Sequence, residues 1–300
     1  MKDKIFSVDI GGSKLICGVV DEYGEILDTY RVDYPKDYSL QTVIDSIKTG
    51  YEKLKHYNCS YCGVAVPGLC DPEKGLWLYS PFSGIENVEI GKMISLITNL
   101  KTFCDNDVNV SALAERYFGV CKEIDDFIWI TVSNGIGGGL FLGGKLYLGQ
   151  SLNAGEIGHF IVEEQSPRKC GCSNVGCLEA MASGASISAI YKERTGEDFS
   201  AKEIADKARN GDETALKIWQ EAGYYIGKAA AYAVNLLGLD TVVLGGGAAQ
   251  SFDLLEFSAK KAMDRFLFRR ANPDAEIIHS SLNGYAALKG GAALVLEKLK

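Results

Sequence analysis

One β-rich pattern occurs twice in the chain, and it narrows the possible folds more than any other feature. The first copy is IFSVDIGGSKLICGVVDEYGEIL, from Ile5 to Leu27; the second is FIWITVSNGIGGGLFLGGKLYL, from Phe127 to Leu148. Each has a β-forming run, a glycine-rich turn, a second run, a tight turn and a third run. Gly24 and the pair Gly143-Gly144 stand where hairpin turns need positive φ. Two such meanders about 120 residues apart predict a duplicated α/β domain. The interval is too long for a solenoid, whose repeats run to roughly 20–50 residues.

Helical spacing fills the intervals. Val43, Ile44, Ile47, Tyr51 and Leu54 recur at helical steps along Thr42–Leu54. Ser200 and Glu203 fit a capping box that opens a short helix. Leu216, Trp219, Ile226, Ala230, Val234 and Leu237 mark a helix over Ala215–Leu237, with Gly238 as its stop. A strand over Thr241–Leu244 then runs into Gly245-Gly246-Gly247, and Tyr285–Leu299 reads as a last helix. No Pro-rich or low-complexity tract separates domains, so any boundary is a crossing between compact lobes.

The chain has 300 residues, enough for one large or two ordinary domains. Its formal charge of −8 argues against binding duplex nucleic acid, which needs clustered Lys and Arg. It does not exclude nucleotides, which backbone N–H groups can hold. No apolar segment follows the charges of MKDK, and no run of about 18 apolar residues occurs, so neither export nor a membrane span is expected. Nine cysteines, an odd number, then read as thiols or metal ligands in a cytoplasmic protein and not as a disulfide framework.

Asp9-Ile10-Gly11-Gly12-Ser13-Lys14 ends the first β run. Its glycines allow close backbone approach to a phosphate, and Asp9 can hold Mg2+ directly or through water. The same residues also fit a plain hairpin turn, and taken alone the two uses are equally good. Gly135-Ile136-Gly137-Gly138-Gly139 is a second such turn and Gly245-Gly246-Gly247 a third. Neither GxxxxGK followed by Ser or Thr nor GxGxxG occurs. Three glycine turns, each after an apolar β run, point to a nucleotide held between two lobes.

Asp107, in Thr102-Phe103-Cys104-Asp105-Asn106-Asp107, stands where a strand gives way to a helix. A carboxylate there can take the proton of an attacking hydroxyl. It can equally cap the helix, and taken alone the cap is favoured. His159, Cys170, Cys172 and Cys177 offer three thiolates and an imidazole within 19 residues, a closed tetrahedral set for structural zinc (Zn2+). Cys59 and Cys62 lack a second pair, and Cys17, Cys70, Cys104 and Cys121 read as core thiols. Glu156 and Glu179 flank the zinc set, and fixed acceptors of this kind suit a polyhydroxyl ligand.

Over nearly its whole length the sequence resembles the ROK family of sugar kinases and related repressors. Asp9–Lys14 resembles the family's first phosphate motif, Gly63-Val-Ala-Val-Pro-Gly68 its strand and turn beside the sugar, and Asn106-Asp107-Val-Asn109 its catalytic segment. Asn153-Ala-Gly-Glu-Ile-Gly-His159, with Cys170-Gly-Cys-Ser-Asn-Val-Gly-Cys-Leu-Glu179, resembles its zinc and sugar signature. The resemblance implies a duplicated actin-like (ribonuclease-H-like) ATPase fold, two lobes with a central cleft. The smaller lobe would take residues 1–112 with 287–300, and the larger, with the zinc knuckle, 113–286. It implies ATP-dependent phosphorylation of a hexose, O6 of glucose or a related sugar, with Asp107 as general base. Gly68, Asn106, Glu156, His159 and Glu179 would contact the sugar, and His159, Cys170, Cys172 and Cys177 would bind zinc. ATP with Mg2+ would lie against Asp9, Gly11, Gly12, Ser13 and Lys14, against Asn134, Gly135, Gly137 and Gly138, and against Gly245, Gly246 and Gly247. A homodimer or homotetramer is implied.

Three positions depart from the family pattern. Ser133 and Asn134 replace a Gly-Thr pair before the second phosphate motif. The sugar-side loop reads Pro81-Phe82-Ser83-Gly84-Ile85, where Phe82 is expected to reshape the pocket. Ser173 stands in the zinc knuckle where Gly is usual. The alternatives are a non-catalytic sugar-binding protein, or a kinase for N-acetylmannosamine, allose, mannose, fructose or a β-glucoside. A DNA-binding repressor would carry a helix-turn-helix before the first phosphate motif, and none is expected ahead of Ile5.

Overall fold

The computed structural model describes residues 4–34, 38–81 and 83–300, so Phe82 lies outside the described residues. The chain divides into two compact units, one of residues 1–124, 146–153 and 285–300, the other of residues 125–145 and 154–284.

In the first unit, β1 (Lys4–Ile10), β2 (Lys14–Asp21) and β3 (Ile26–Asp33) form the expected antiparallel meander, with Gly24 at φ 81° in its second turn. Helix α1 (Leu40–Leu54) follows, capped by Ser39 Oγ, which accepts from the Thr42 amide at 3.2 Å. It leads into β4 (Tyr61–Val66), parallel to β1. The short strands β5 (Leu69–Asp71), β6 (Leu76–Tyr79) and β7 (Glu86–Val88) make a small antiparallel sheet of their own. Helix α2 (Ile90–Thr98) then returns to β8 (Lys101–Asn106), parallel to β4, and α3 (Asp107–Phe118) begins where β8 ends. The main sheet has the order β3-β2-β1-β4-β8.

The second unit repeats this plan. Strands β9 (Phe127–Val132), β10 (Ile136–Leu142) and β11 (Lys145–Tyr147), the last of which has Leu146 and Tyr147 grouped with the first unit, are the second meander, with Gly143 and Gly144 at φ 58° and 75° in the hairpin. The excursion that follows carries α4 (Leu178–Ala182), α5 (Gly184–Thr195), α6 (Ala201–Arg209) and α7 (Glu213–Leu237). Then come β12 (Thr241–Gly245), α8 (Phe252–Phe266) and β13 (Glu276–His279). The sheet order β11-β10-β9-β12-β13 matches the first sheet position for position, with β12 parallel to both β9 and β13. The sequence duplication is therefore a duplication of fold, an α/β architecture with two equivalent sheets.

Local signals act where they were read. The α6 capping box is complete: the Glu203 amide donates to Ser200 Oγ at 3.3 Å and the Ser200 amide to Glu203 Oε2 at 2.8 Å. Helix α7 stops at Gly238, φ 66°. The closing helix, α9 (Ala286–Lys298), belongs to the first unit and packs on α3, β1 and β4. Residue 112, the lobe boundary expected from the sequence, lies inside α3, all of which belongs to that unit. Cys17, Cys70, Cys104 and Cys121 are buried core thiols.

Candidate active site

In the first unit the site is built where β8 becomes α3. Pairing with β4 carries the strand as far as Asn106, opposite Val66. Asn106 is the N-cap: its Oδ1 accepts from the amides of Val108 at 2.9 Å and Asn109 at 3.1 Å. Asp107 is thus relieved of the capping role that the sequence left open for it. The Asn106 amide group donates to the Gly68 carbonyl at 2.7 Å and to Asp107 Oδ1 at 3.0 Å. Gly68, expected beside the sugar, therefore braces the residue that orients Asp107.

Burial pushes the Asp107 carboxyl up to about 7, and the charge of Asp9 adds to the shift, while the Val108 amide at 3.0 Å pulls it back. Asp9, at the end of β1, is itself pushed up to about 6 by burial, against the pull of Lys14. The turn after it is closed by the Gly11 amide donating to the Lys14 carbonyl at 2.8 Å. From outside, the Tyr34 amide holds the Ser13 carbonyl, also at 2.8 Å. Two half-buried, mutually repelling carboxylates beside a glycine turn are an arrangement that a divalent cation relieves.

Asp105, which the sequence reading passed over, supports this corner. It is buried in β8 and accepts from the Asn106 amide at 2.6 Å and from Asn109 Nδ2 at 3.2 Å. Burial pushes it up to about 6. The available signal was a carboxylate within a strand segment, two residues before the proposed base.

In the second unit, β9 ends at Val132 and β10 starts at Ile136, so the turn is Ser133-Asn134-Gly135. Gly137 and Gly138, expected in this turn, are strand residues instead. A Cβ on Gly138 would stand 2.6 Å from the Gly155 carbonyl oxygen, so its bareness admits the segment that carries Glu156. Asn134 is exposed. Gly245 ends β12 against the ring of Trp129, Gly246 turns the chain at φ 93°, and Gly247 faces Ser133 Oγ.

Glu179, in the first turn of α4, accepts from the Ile136 amide through Oε2 at 3.1 Å. Its Oε1 lies 3.8 Å from Cys170 Sγ. Cys170 Sγ is 3.5 Å from His159 Nδ1, and Cys172 Sγ 3.6 Å from Cys177 Sγ. All four candidate ligand atoms lie within 4.8 Å of one another. Tetrahedral Zn–S bonds of ~2.3 Å place sulfurs ~3.8 Å apart, so the cluster fits zinc. It is the only such His/Cys group among the described residues. With Nδ1 of His159 turned to the sulfurs, Nε2 faces Glu156 Oε2 at 3.6 Å. The histidine thus links the His/Cys cluster to a polar outer face.

Ser173, between the ligands, takes φ 77°, the left-handed region that favours glycine. In the sugar-side loop, the Ser80 amide donates to the Ile85 carbonyl at 2.9 Å and Ser83 Oγ to Ser80 Oγ at 2.9 Å. No helix among the described residues is long and apolar enough to cross a membrane.

A profile described as the ROK family matches residues 5–298. A glucokinase of Thermotoga maritima is 30% identical over 99% of both chains. The crystal structure of a ROK family glucokinase from Streptomyces griseus, in complex with glucose and AMPPNP, is 28% identical with a TM-score of 0.88, covering 97% of this chain and 98% of that one. The DNA-binding transcriptional dual regulator NagC of Escherichia coli is 30% identical, over 77% of this chain and 59% of its own.

Proposed function

The chain belongs to the ROK family and is an ATP-dependent hexose phosphotransferase with the actin-like ATPase fold, and from that premise we propose that its substrate is glucose or a close relative, phosphorylated at O6 with Asp107 as general base. The observation that carries this reading is the division of labour at the β8–α3 junction. Asn106 does the capping, while the Asp107 carboxyl is half-buried, oriented and raised to about 7, close to the pH at which a base must accept a proton. As O6 attacks the γ-phosphorus, its proton passes to Asp107, the new O6–P bond forms and the bond to the β-phosphate oxygen breaks. Positioning and charge neutralisation supply most of the rate.

The turns at Gly11-Gly12-Ser13, Ser133-Asn134-Gly135 and Gly245-Gly246-Gly247 would hold the triphosphate, with Lys14 contributing charge. Asp9 would hold Mg2+, which neutralises charge developing on the phosphates. Asn106, Glu156, His159 and Glu179 would bind sugar hydroxyls. His159, Cys170, Cys172 and Cys177 would hold a structural zinc that fixes the segment carrying Glu156. The glucose-bound Streptomyces glucokinase supports glucose as the first sugar to test. A cytoplasmic homodimer or homotetramer without a nucleic-acid partner is the form we expect.

A coupled assay of ADP release over hexoses, amino sugars and disaccharides tests the reading. Glucose or a near relative should stimulate ATP turnover by orders of magnitude. Turnover indifferent to every sugar would instead favour a sugar-binding protein without kinase activity.

A further inference from the structure

We propose that the metal cluster sets nucleotide affinity as well as sugar affinity, with Glu179 as the positioning residue that connects the two. The inference rests on the reading of Ser133-Asn134-Gly135 as a phosphate turn. It starts from covalent order. The ligand Cys177 is the N-cap of α4, and Glu179 stands in that helix's first turn. Whatever fixes the Cys177 sulfur therefore fixes the position from which Glu179 reaches out. The start of α4 also has backbone anchors: the Leu178 amide donates to the Phe160 carbonyl at 2.8 Å, next to the candidate ligand His159, and the Val162 amide to the Gly176 carbonyl at 2.9 Å.

From that base the α4–α5 corner holds the turn on both sides. Glu179 Oε2 takes the Ile136 amide at 3.1 Å, just after the turn. The Gly184 amide, first in α5, donates to the carbonyl of Ser133, the first residue of the turn, at 2.7 Å. Ser186 Oγ ties α5 back to the Glu179 carbonyl at 2.8 Å. The fit is close: a Cβ on Gly135 would stand 2.5 Å from Glu179 Oε2. Within the turn the Ser133 amide is spent on the Gly135 carbonyl at 2.9 Å, which leaves the Asn134 and Gly135 amides to face phosphate. The rest of the bracing comes from the carboxylate of Glu179 and the first two amides of α5, Ala185 donating to the Asn134 carbonyl at 3.4 Å, and these depend on where Cys177 is held. Loss of the metal leaves Cys177 held by its backbone neighbours alone, so the first turn of α4 loosens and the phosphate turn loses part of its preset shape before any sugar is present.

The experiment is calorimetric titration of the protein with Mg-AMPPNP without sugar, in metal-loaded and chelator-treated protein, alongside metal-loaded Glu179→Ala and Glu179→Gln. We expect chelation to weaken nucleotide binding about fivefold or more, the loss of roughly one hydrogen bond's worth of positioning. Glu179→Ala, with its metal retained, should show a similar loss. Glu179→Gln keeps an acceptor for the Ile136 amide and should restore most of the affinity. Because the alanine variant reads the same contact without stripping metal, unfolding of the chelated protein does not blunt the test. Unchanged nucleotide affinity in both chelated protein and Glu179→Ala overturns the coupling while leaving a sugar kinase intact. Failure of the loaded wild type to bind nucleotide at all would count against the kinase reading itself.

Discussion

Asn106 Nδ2 donates to Asp107 Oδ1 at 3.0 Å while Asn106 Oδ1 caps the helix that Asp107 begins. One side chain thus spends its acceptor on the backbone and its donor on the neighbouring carboxylate. Asn106→Ala should cost about 1 kcal/mol of stability through the lost cap and should also lower kcat, because Asp107 loses its orienting donor. Asn106→Asp keeps the cap but sets a charged oxygen against the Gly68 carbonyl and Asp107 Oδ1, so it should recover only part of the stability and none of kcat. Thermal melts and turnover measured on both variants separate the two roles.

The acidic cluster makes stability depend on pH in a defined direction. Asp9 and Asp105, raised to about 6, and Asp107, raised to about 7, all hold protons more tightly when folded than the ordinary carboxylate does. Their contribution is therefore greatest below about pH 4 and is lost as the pH rises through 6 to 7. The ligand-free protein should lose stability over that interval, and Asp107→Asn should flatten the decline. Denaturant unfolding at several pH values checks the slope. For kcat/KM, which reports the free enzyme, the acid limb should fall near pH 7; for kcat, with magnesium bound and favouring the ionised base, it should move lower.

Ser173 occupies φ 77° inside the candidate metal loop, where a side chain is strained. Ser173→Gly relieves that strain at some cost in unfolded-chain entropy. The net gain should be about 0.5–1 kcal/mol, with metal content unchanged. A melting curve and elemental analysis of the variant measure both.

Wild-type protein should carry about one zinc per chain, and Cys172→Ser should lose it together with sugar affinity, because the segment bearing Glu156 and His159 is released. Elemental analysis paired with sugar titration tests this. Metal-free protein that binds sugar normally would remove the cluster from sugar recognition.

Gly138→Ala drives a methyl toward the Gly155 carbonyl, 2.6 Å from the ideal Cβ position. Overpacking of this kind typically costs about 1–3 kcal/mol. The displaced segment carries Glu156, so sugar KM should rise as stability falls, while a melt alone would show only the second effect.

The parts of the site legible in the sequence are those determined over short stretches. The four ligands lie within one loop, and their spacing alone suggested the cluster that the fold assembles. The duplicated meanders were legible because alternating β runs and paired turn glycines repeat in order. Other features depended on partners far along the chain. Asn106 and Asp107 are equally able to cap, and the choice between them follows from β8 pairing with β4 as far as Asn106. Gly138 read as a turn residue because nothing near it in sequence shows that the segment at Gly155 will lie against it. Asp105 was missed because its partners, the Asn106 amide and Asn109 Nδ2, converge on it only when β8 runs directly into α3.

The most direct measurement is single-turnover phosphoryl transfer from ATP to the best hexose, by wild type and by Asp107→Asn, with sugar and nucleotide affinities determined on the same samples. Removing the general base should slow transfer by ~10²–10⁴-fold while both affinities stay near wild type. Transfer at near-normal rate in Asp107→Asn, with both ligands bound, would contradict Asp107 as the group that takes the O6 proton.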